Sequence, residues 1–173
     1  MTGRTLWLCQ DDDALLAECC VDTYRASGPG GQKRNKTSSA VRLRHGPSGI
    51  LSIATESRSQ HINKRRALRR LRMALALNLR ERLEAFSEPP AALRLHLSPH
   101  GRIEISRRNA DYPRVVAVVL DAVATHRGRL REAASLLGVS TAQLSRFLGD
   151  DGKVLDIANR VRRDAGLRPL RSM

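Results

Sequence analysis

The segment Arg25-Ala26-Ser27-Gly28-Pro29-Gly30-Gly31-Gln32-Lys33-Arg34-Asn35-Lys36-Thr37 suits neither a helix nor a packed strand, so it forces a loop into the first half of the chain. Pro29 has a fixed φ and no backbone N–H, and it drives Gly28 toward extended geometry. Gly30 and Gly31 lack a Cβ, reach positive φ easily and let the main chain approach a ligand closely. Gln32 adds a backbone N–H, two side-chain donors and an acceptor. A bare Gly-Gly-Gln is also compatible with an ordinary surface turn. The cations that follow it favour a loop built to enter a polyanionic partner.

Charge strengthens that reading. The 173 residues carry 31 Lys and Arg against 17 Asp and Glu, a formal net charge of +14. Between Arg25 and Arg82 there are fifteen cationic side chains and two carboxylates, Glu56 and Glu81. Such an excess points to nucleic acid first and to an anionic membrane surface second. Cys9, Cys19 and Cys20 form neither a disulfide framework nor a metal spacing, as expected of reduced thiols in a cytoplasmic protein. Asp11-Asp12-Asp13 reads as a solvated acidic run and suits no signal peptide, and no apolar stretch reaches transmembrane length.

Periodicity places elements around the loop. Residues 19–25 read as a strand leading into it, and Val41 and Leu43 alternating with Arg42 and Arg44 read as the strand that follows. Gly46-Pro47-Ser48-Gly49 turns this strand into Ile50-Leu51-Ser52-Ile53, a hairpin with one basic face. Leu68, Leu71, Leu75, Leu79 and Phe86 predict a helix over 59–86, flanked by Arg65, Arg66, Arg69, Arg70 and Arg72. A solvated face explains such arginines in many helices. Here the scarcity of acids to pair with them favours phosphate contact by Arg65, Arg66 and Arg69. After Pro89-Pro90, alternation at 93–97 and at 103–105 predicts a second hairpin that extends the sheet.

From Pro113, placed for a first helical turn, the pattern is helical to Arg163. Ala134, Gly138 and Leu144 have helix-turn-helix spacing, and Ser140 with Gln143 three residues later begins the second helix. The expected fold is therefore α+β: a small mixed or antiparallel sheet with the glycine-rich loop and a long packing helix, then a small all-α helix-turn-helix-like domain. The boundaries are 1–110 and 111–173.

Several separated motifs agree with one family. Gly30-Gly31-Gln32, Asn35-Lys36-Thr37, Val41-Arg42-Leu43-Arg44-His45, Gly46-Pro47-Ser48-Gly49-Ile50, Arg58-Ser59-Gln60 and Asn63-Lys64 resemble, in order and spacing, the peptidyl-tRNA hydrolysis domain of class I peptide chain release factors and their stand-alone ribosome-rescue relatives. The resemblance covers residues 15–85, about half the chain. It implies hydrolysis of the ester between a nascent peptide and tRNA, with Gly30, Gly31 and Gln32 as the catalytic residues. It further implies that Lys33, Arg34, Asn35 and Lys36 seat the loop in the peptidyl-transferase centre. Arg58, Gln60, Asn63 and Lys64, with Arg42 and Arg44 of the basic hairpin, would face ribosomal RNA. Asn35 and Thr37 fit capping roles equally well. Family members usually have a histidine or another neutral residue after the glutamine, where this chain has Lys33-Arg34.

No cofactor or metal is expected. His45, His61, His96, His100 and His126 show no ligand spacing and read as surface or RNA-facing residues. Serines lack a nucleophile elbow. No segment resembles a stop-codon-reading domain, so the expected activity is codon-independent rescue of stalled ribosomes or large subunits by a cytoplasmic monomer. The helical domain would bind small-subunit RNA, a protein partner or peptidyl-tRNA. The alternative is a non-enzymatic RNA- or DNA-binding regulator that uses the helix-turn-helix.

Overall fold

The computed structural model describes residues 3–25, 38–83 and 89–171. It divides into two compact units, Gly3–Leu75 and Ala76–Met173. The first opens with two short helices, α1 (Gly3–Cys9) and α2 (Asp12–Ala17). Asp11 starts α2 by accepting the Ala14 N–H at 2.8 Å, which relieves an otherwise unpaired helix donor. Asp12 accepts from Arg72 at 2.8 Å. The acidic run is thus partly a cap and an ion pair, a role its position near the start of the chain does not announce.

Strands β1 (Cys19–Tyr24), β2 (Ala40–His45) and β3 (Leu51–Ala54) form an antiparallel sheet in the order β1-β2-β3. The register pairs Tyr24 with Ala40, Val21 with Leu43, Arg42 with Ile53 and Arg44 with Leu51. With a side-chain period of two, this register puts Val41, Leu43, Ser52 and Ala54 on the buried face. Its opposite face is mixed rather than purely basic. There Arg42 and Arg44 lie across from the exposed Leu51 and Ile53.

Helix α3 (Gln60–Asn78) presents Asn63, Ala67, Leu71 and Leu75 at intervals of four, all buried, with Leu68 beside them. Each buried leucine contributes about 1.5–3 kcal/mol. Ser52 Oγ donates to the Ala67 carbonyl at 2.9 Å, which ties β3 to α3. The helix ends at Asn78, short of the expected 86. Arg80 folds back and donates to the carbonyls of Ala76, Leu77 and Leu79. Glu81 N–H then bonds buried Asp121 at 3.0 Å. Side chains take over the terminal backbone groups, a substitution that apolar spacing does not encode.

The second predicted hairpin is also corrected. Residues 91–94 form a helical turn, α4 (Ala91–Arg94), and pairing is confined to a single bridge between Leu97 and Ile103. Pro90, at φ −51 and ψ 140, is the residue from which this turn starts, and the turn puts Leu93 in the core. Alternation was the wrong period here because Leu95 is largely exposed at 74%.

Four helices follow: α5 (Tyr112–Thr125), α6 (Leu130–Leu137), α7 (Thr141–Asp150) and α8 (Gly152–Asp164). Helix α5 is the hub, in contact with α4, α6 and α8. Pro113 lies in its first turn, where a missing N–H costs nothing. Gly138, at φ 68, closes α6 through Val139 N–H to Ala134 O and Gly138 N–H to Ser135 O. Ser140 Oγ then accepts the Gln143 N–H at 3.2 Å and starts α7. Ala134 and Leu144 are buried where the helix-turn-helix spacing put them.

Gly128 has φ 77, and a Cβ there would lie 2.7 Å from Arg162 Cγ and 3.0 Å from its Cα. We expect Gly128→Ala to destabilise the protein by about 1–3 kcal/mol, read as a lower urea midpoint. An unchanged midpoint would contradict this packing.

Candidate functional site

Residues 26–37 join two adjacent strand ends, held side by side by the Tyr24–Ala40 pairing. Gly30, Gly31 and Gln32, together with Lys33, Arg34, Asn35, Lys36 and Thr37, lie outside the described residues. The structure does define the base to which they are attached. Asn63 is fully buried, and its Nδ2 donates to the Ser39 carbonyl at 2.6 Å and the Ser57 carbonyl at 2.8 Å. Its Oδ1 accepts the Ser57 N–H at 2.9 Å. One amide thus joins the start of β2, the approach to α3 and α3 itself.

Asn63 is among the residues the resemblance turned toward RNA, but the structure gives it no outward face. Its place on the stripe with Ala67, Leu71 and Leu75 was the sequence signal for this. A buried amide stabilises only when its groups are paired, as they are here. Beside it, Ser59 Oγ accepts from the Ile62 N–H at the beginning of α3.

The other expected contact residues divide by what they touch. Arg44, Arg58, Gln60 and Arg65 are exposed, and among the described residues the three arginines have no carboxylate partner. Lys64 is half-buried and lines a cleft of about 310 Å³ with Asp12, Asp13, His61 and Arg65. Arg42 is committed to Asp22 through Nε at 3.1 Å and Nη2 at 3.0 Å, and its guanidinium lies 5.9 Å from the Tyr24 ring centroid. Arg66 approaches Glu56 at 3.9 Å, and Arg70 holds both Glu56 and the Ile53 carbonyl. The Arg70 hydrogen bond is the main cause that lowers the Glu56 carboxyl below its ordinary range. Arg69 is exposed on the same helix. A single glutamate therefore engages two of the helix's arginines while Arg65 extends into solvent.

His45 departs from the surface role expected of it. It is fully buried, with Nδ1 2.7 Å from Ser48 Oγ, Nε2 3.6 Å from Glu18 and its ring edge-on to Trp7 at 4.6 Å. Burial lowers its pKa below the ordinary value, against a smaller opposing pull from Glu18. Its position at the buried end of β2, in phase with Val41 and Leu43, is the signal in the sequence. Among the described residues no cluster of His, Cys, Asp and Glu could hold a metal ion.

Fold and base geometry together define a small α+β domain in which a three-stranded antiparallel sheet packs against an arginine-bearing helix. A model of the RF-1 domain family matches residues 15–112, more than half of the chain. The chain belongs to that family, the family of the class I peptide chain release factors. It is 54% identical over 67 residues to peptide chain release factor 1 of Leptothrix cholodnii, covering 39% of this chain and 18% of that protein. It is 54% identical over 72 residues to peptide chain release factor 2 of a Janthinobacterium species, covering 41% and 20%. A longer match, 37% identical over 113 residues, joins it to peptide chain release factor 1 of Solidesulfovibrio magneticus, covering 59% and 32%. The chain thus spans between about a fifth and a third of the length of these relatives.

Two outcomes test the base geometry. Asn63→Ala leaves the carbonyls of Ser39 and Ser57 and the Ser57 N–H without partners, so a loss of about 2–4 kcal/mol in urea unfolding is expected, and a loss below about 1 kcal/mol would contradict it. For His45 the folded pKa lies below the unfolded value near 6.5, so its contribution is complete above that value and is lost as pH falls through the folded pKa. The melting temperature should therefore decline from about pH 7 toward pH 5, with a shallower decline in His45→Gln. Equal slopes would contradict the buried neutral imidazole.

Proposed function

We propose that this protein hydrolyses the ester of peptidyl-tRNA in the ribosomal peptidyl-transferase centre without reading a stop codon. The observation that carries this reading is the family match over residues 15–112, within which Gly30-Gly31-Gln32 and its flanking motifs lie. The ester is already activated, so the protein supplies position and charge rather than a covalent nucleophile. Water attacks the carbonyl carbon, the bond to the ribose oxygen breaks, and a proton passes to that oxygen.

In this mechanism the Gln32 main-chain N–H stabilises the negative charge that develops at the tetrahedral centre or on the departing ribose oxygen. Its side-chain amide holds the attacking water and limits what enters. Gly30 and Gly31 give the main chain the close approach both tasks need. Ribosomal RNA and the tRNA ribose complete the site. The exposed Arg44, Arg58, Gln60, Arg65 and Arg69 would steer the domain onto RNA, with Asn63 fixing the base. In support of the codon-independent part of this reading, the described residues of the second unit form a small helical bundle preceded by a helical turn and one bridge.

The test is peptide release from ribosomes stalled on messenger lacking a stop codon. Wild type should release peptide, while Gln32→Ala, which removes the amide that holds the water, and Gly31→Ala, which crowds the close approach of the main chain, should each lower the rate by about two orders of magnitude, a typical cost of misplacing reacting groups. Adding a stop codon should not raise the wild-type rate. Equal release by all three proteins would overturn the catalytic assignment, and a strict stop-codon requirement would overturn the codon independence.

A further inference from the structure

We propose that the C-terminal end of α8, with the connection between α5 and α6, is a docking surface for the phosphate backbone of a polynucleotide. The family match ends at residue 112, where α5 begins, so membership accounts for none of this surface. Arg127 and Arg129 line a cleft of about 400 Å³ with Val161, Asp164, Ala165 and Leu167. Arg160, Arg163 and Arg168 are exposed on the same stretch of helix and tail. Arg162 locks the parts together by donating Nη1 to the Gly128 carbonyl at 2.5 Å and Nε to the Arg168 carbonyl at 2.8 Å. The tail is fastened again by Asn159, which donates to the Leu170 carbonyl at 3.0 Å and accepts its N–H at 2.7 Å.

The fold does not need the five exposed arginines. Among the described residues none of them has an ion pair, whereas Arg42, Arg66, Arg70 and Arg72 of the first unit all have carboxylate partners. Nor do they cap α8. Its terminal carbonyls are taken by backbone, through Leu167 N–H to Arg162 O, Gly166 N–H to Arg163 O and Ala165 N–H to Val161 O. Arg127 is also the one described non-glycine residue at positive φ, 50°, followed by Gly128, which has no room for a side chain. A strained backbone thus holds a group of like charges whose mutual repulsion opposes folding.

Chemistry selects the partner. Among the described residues of the second unit, the one large hydrophobic side chain that is exposed is Leu95, which does not line this cleft. A protein partner would lack the apolar anchor that dominates such interfaces. Phosphate oxygens need only cations, and a guanidinium grips them with two parallel N–H bonds. Asp164, the one carboxylate lining the cleft, repels phosphate and assigns the backbone to the arginine rim.

The test uses the full chain and labelled single-stranded RNA, duplex RNA and duplex DNA, with anisotropy measured across a range of salt. In Arg127→Gln/Arg129→Gln/Arg163→Gln, affinity for at least one polymer should fall on the order of tenfold, and the slope of log K against log salt should shrink by about two to three. The matching lysine variant should keep most of the slope. The three polymers separate an RNA from a DNA backbone. If the triple variant unfolds, Arg163→Gln alone decides, with an expected slope loss of about 0.7–0.9. Unchanged slopes on all three polymers would overturn the proposal, and so would unchanged slopes with lost binding to polyglutamate, which would mark an acidic protein as partner. Gln32→Ala should slow peptide release by about two orders of magnitude and leave the slope intact, so this surface and the catalytic reading fail separately.

Discussion

One buried carboxamide holds the first unit together at its chemically important end. Asn63 gives its two donors and one acceptor to Ser39 and Ser57, so the strand receiving the glycine-rich segment and the approach to α3 share one anchor. In the proposed mechanism the glycine-rich segment is aimed by the ends to which it is attached, because adjacent glycines restrict a backbone little. The β1–β2 pairing fixes those ends side by side, and Asn63 fixes one of them against the helix.

Most of the architecture was legible because its signals are local. Alternation at Val41 and Leu43, the Gly46–Gly49 turn, Ala134, Gly138 and Leu144 each report a backbone state set by immediate neighbours. The failures share a different cause. Helix α3 stops at Asn78 because Arg80 and Asp121 take over the backbone groups beyond it. The predicted second hairpin shrinks to one bridge after a helical turn that begins at Pro90. In the site, residue type misled where phase did not. Asn63 and His45 are polar, yet each sits in register with a buried stripe; Asn63 pairs its amide with the distant Ser39 and Ser57, and His45 holds Ser48 through Nδ1.

Arginines in both units divide into those paired with a carboxylate and those that are not. In the first, Asp12, Asp22 and Glu56 neutralise Arg72, Arg42, Arg66 and Arg70, whereas Arg44, Arg58 and Arg65 are among the cations with no carboxylate partner among the described residues. In the second, Arg80 and Arg114 meet Asp121 and Asp111, while among the described residues the exposed arginines around α8 have no ion pair. Surface pairs of the first kind are worth little to stability, about 0–1 kcal/mol each. Their effect is to shape which charges a polyanion meets.

The central claim is that position 32 meets the ester of peptidyl-tRNA. A photoreactive amino acid placed there, followed by irradiation of the protein on stalled ribosomes, tests this contact directly. Cross-links to the 3′ end of the tRNA and to RNA of the peptidyl-transferase centre are the predicted result. Efficient cross-linking elsewhere on the ribosome, with none at that end, would contradict the account.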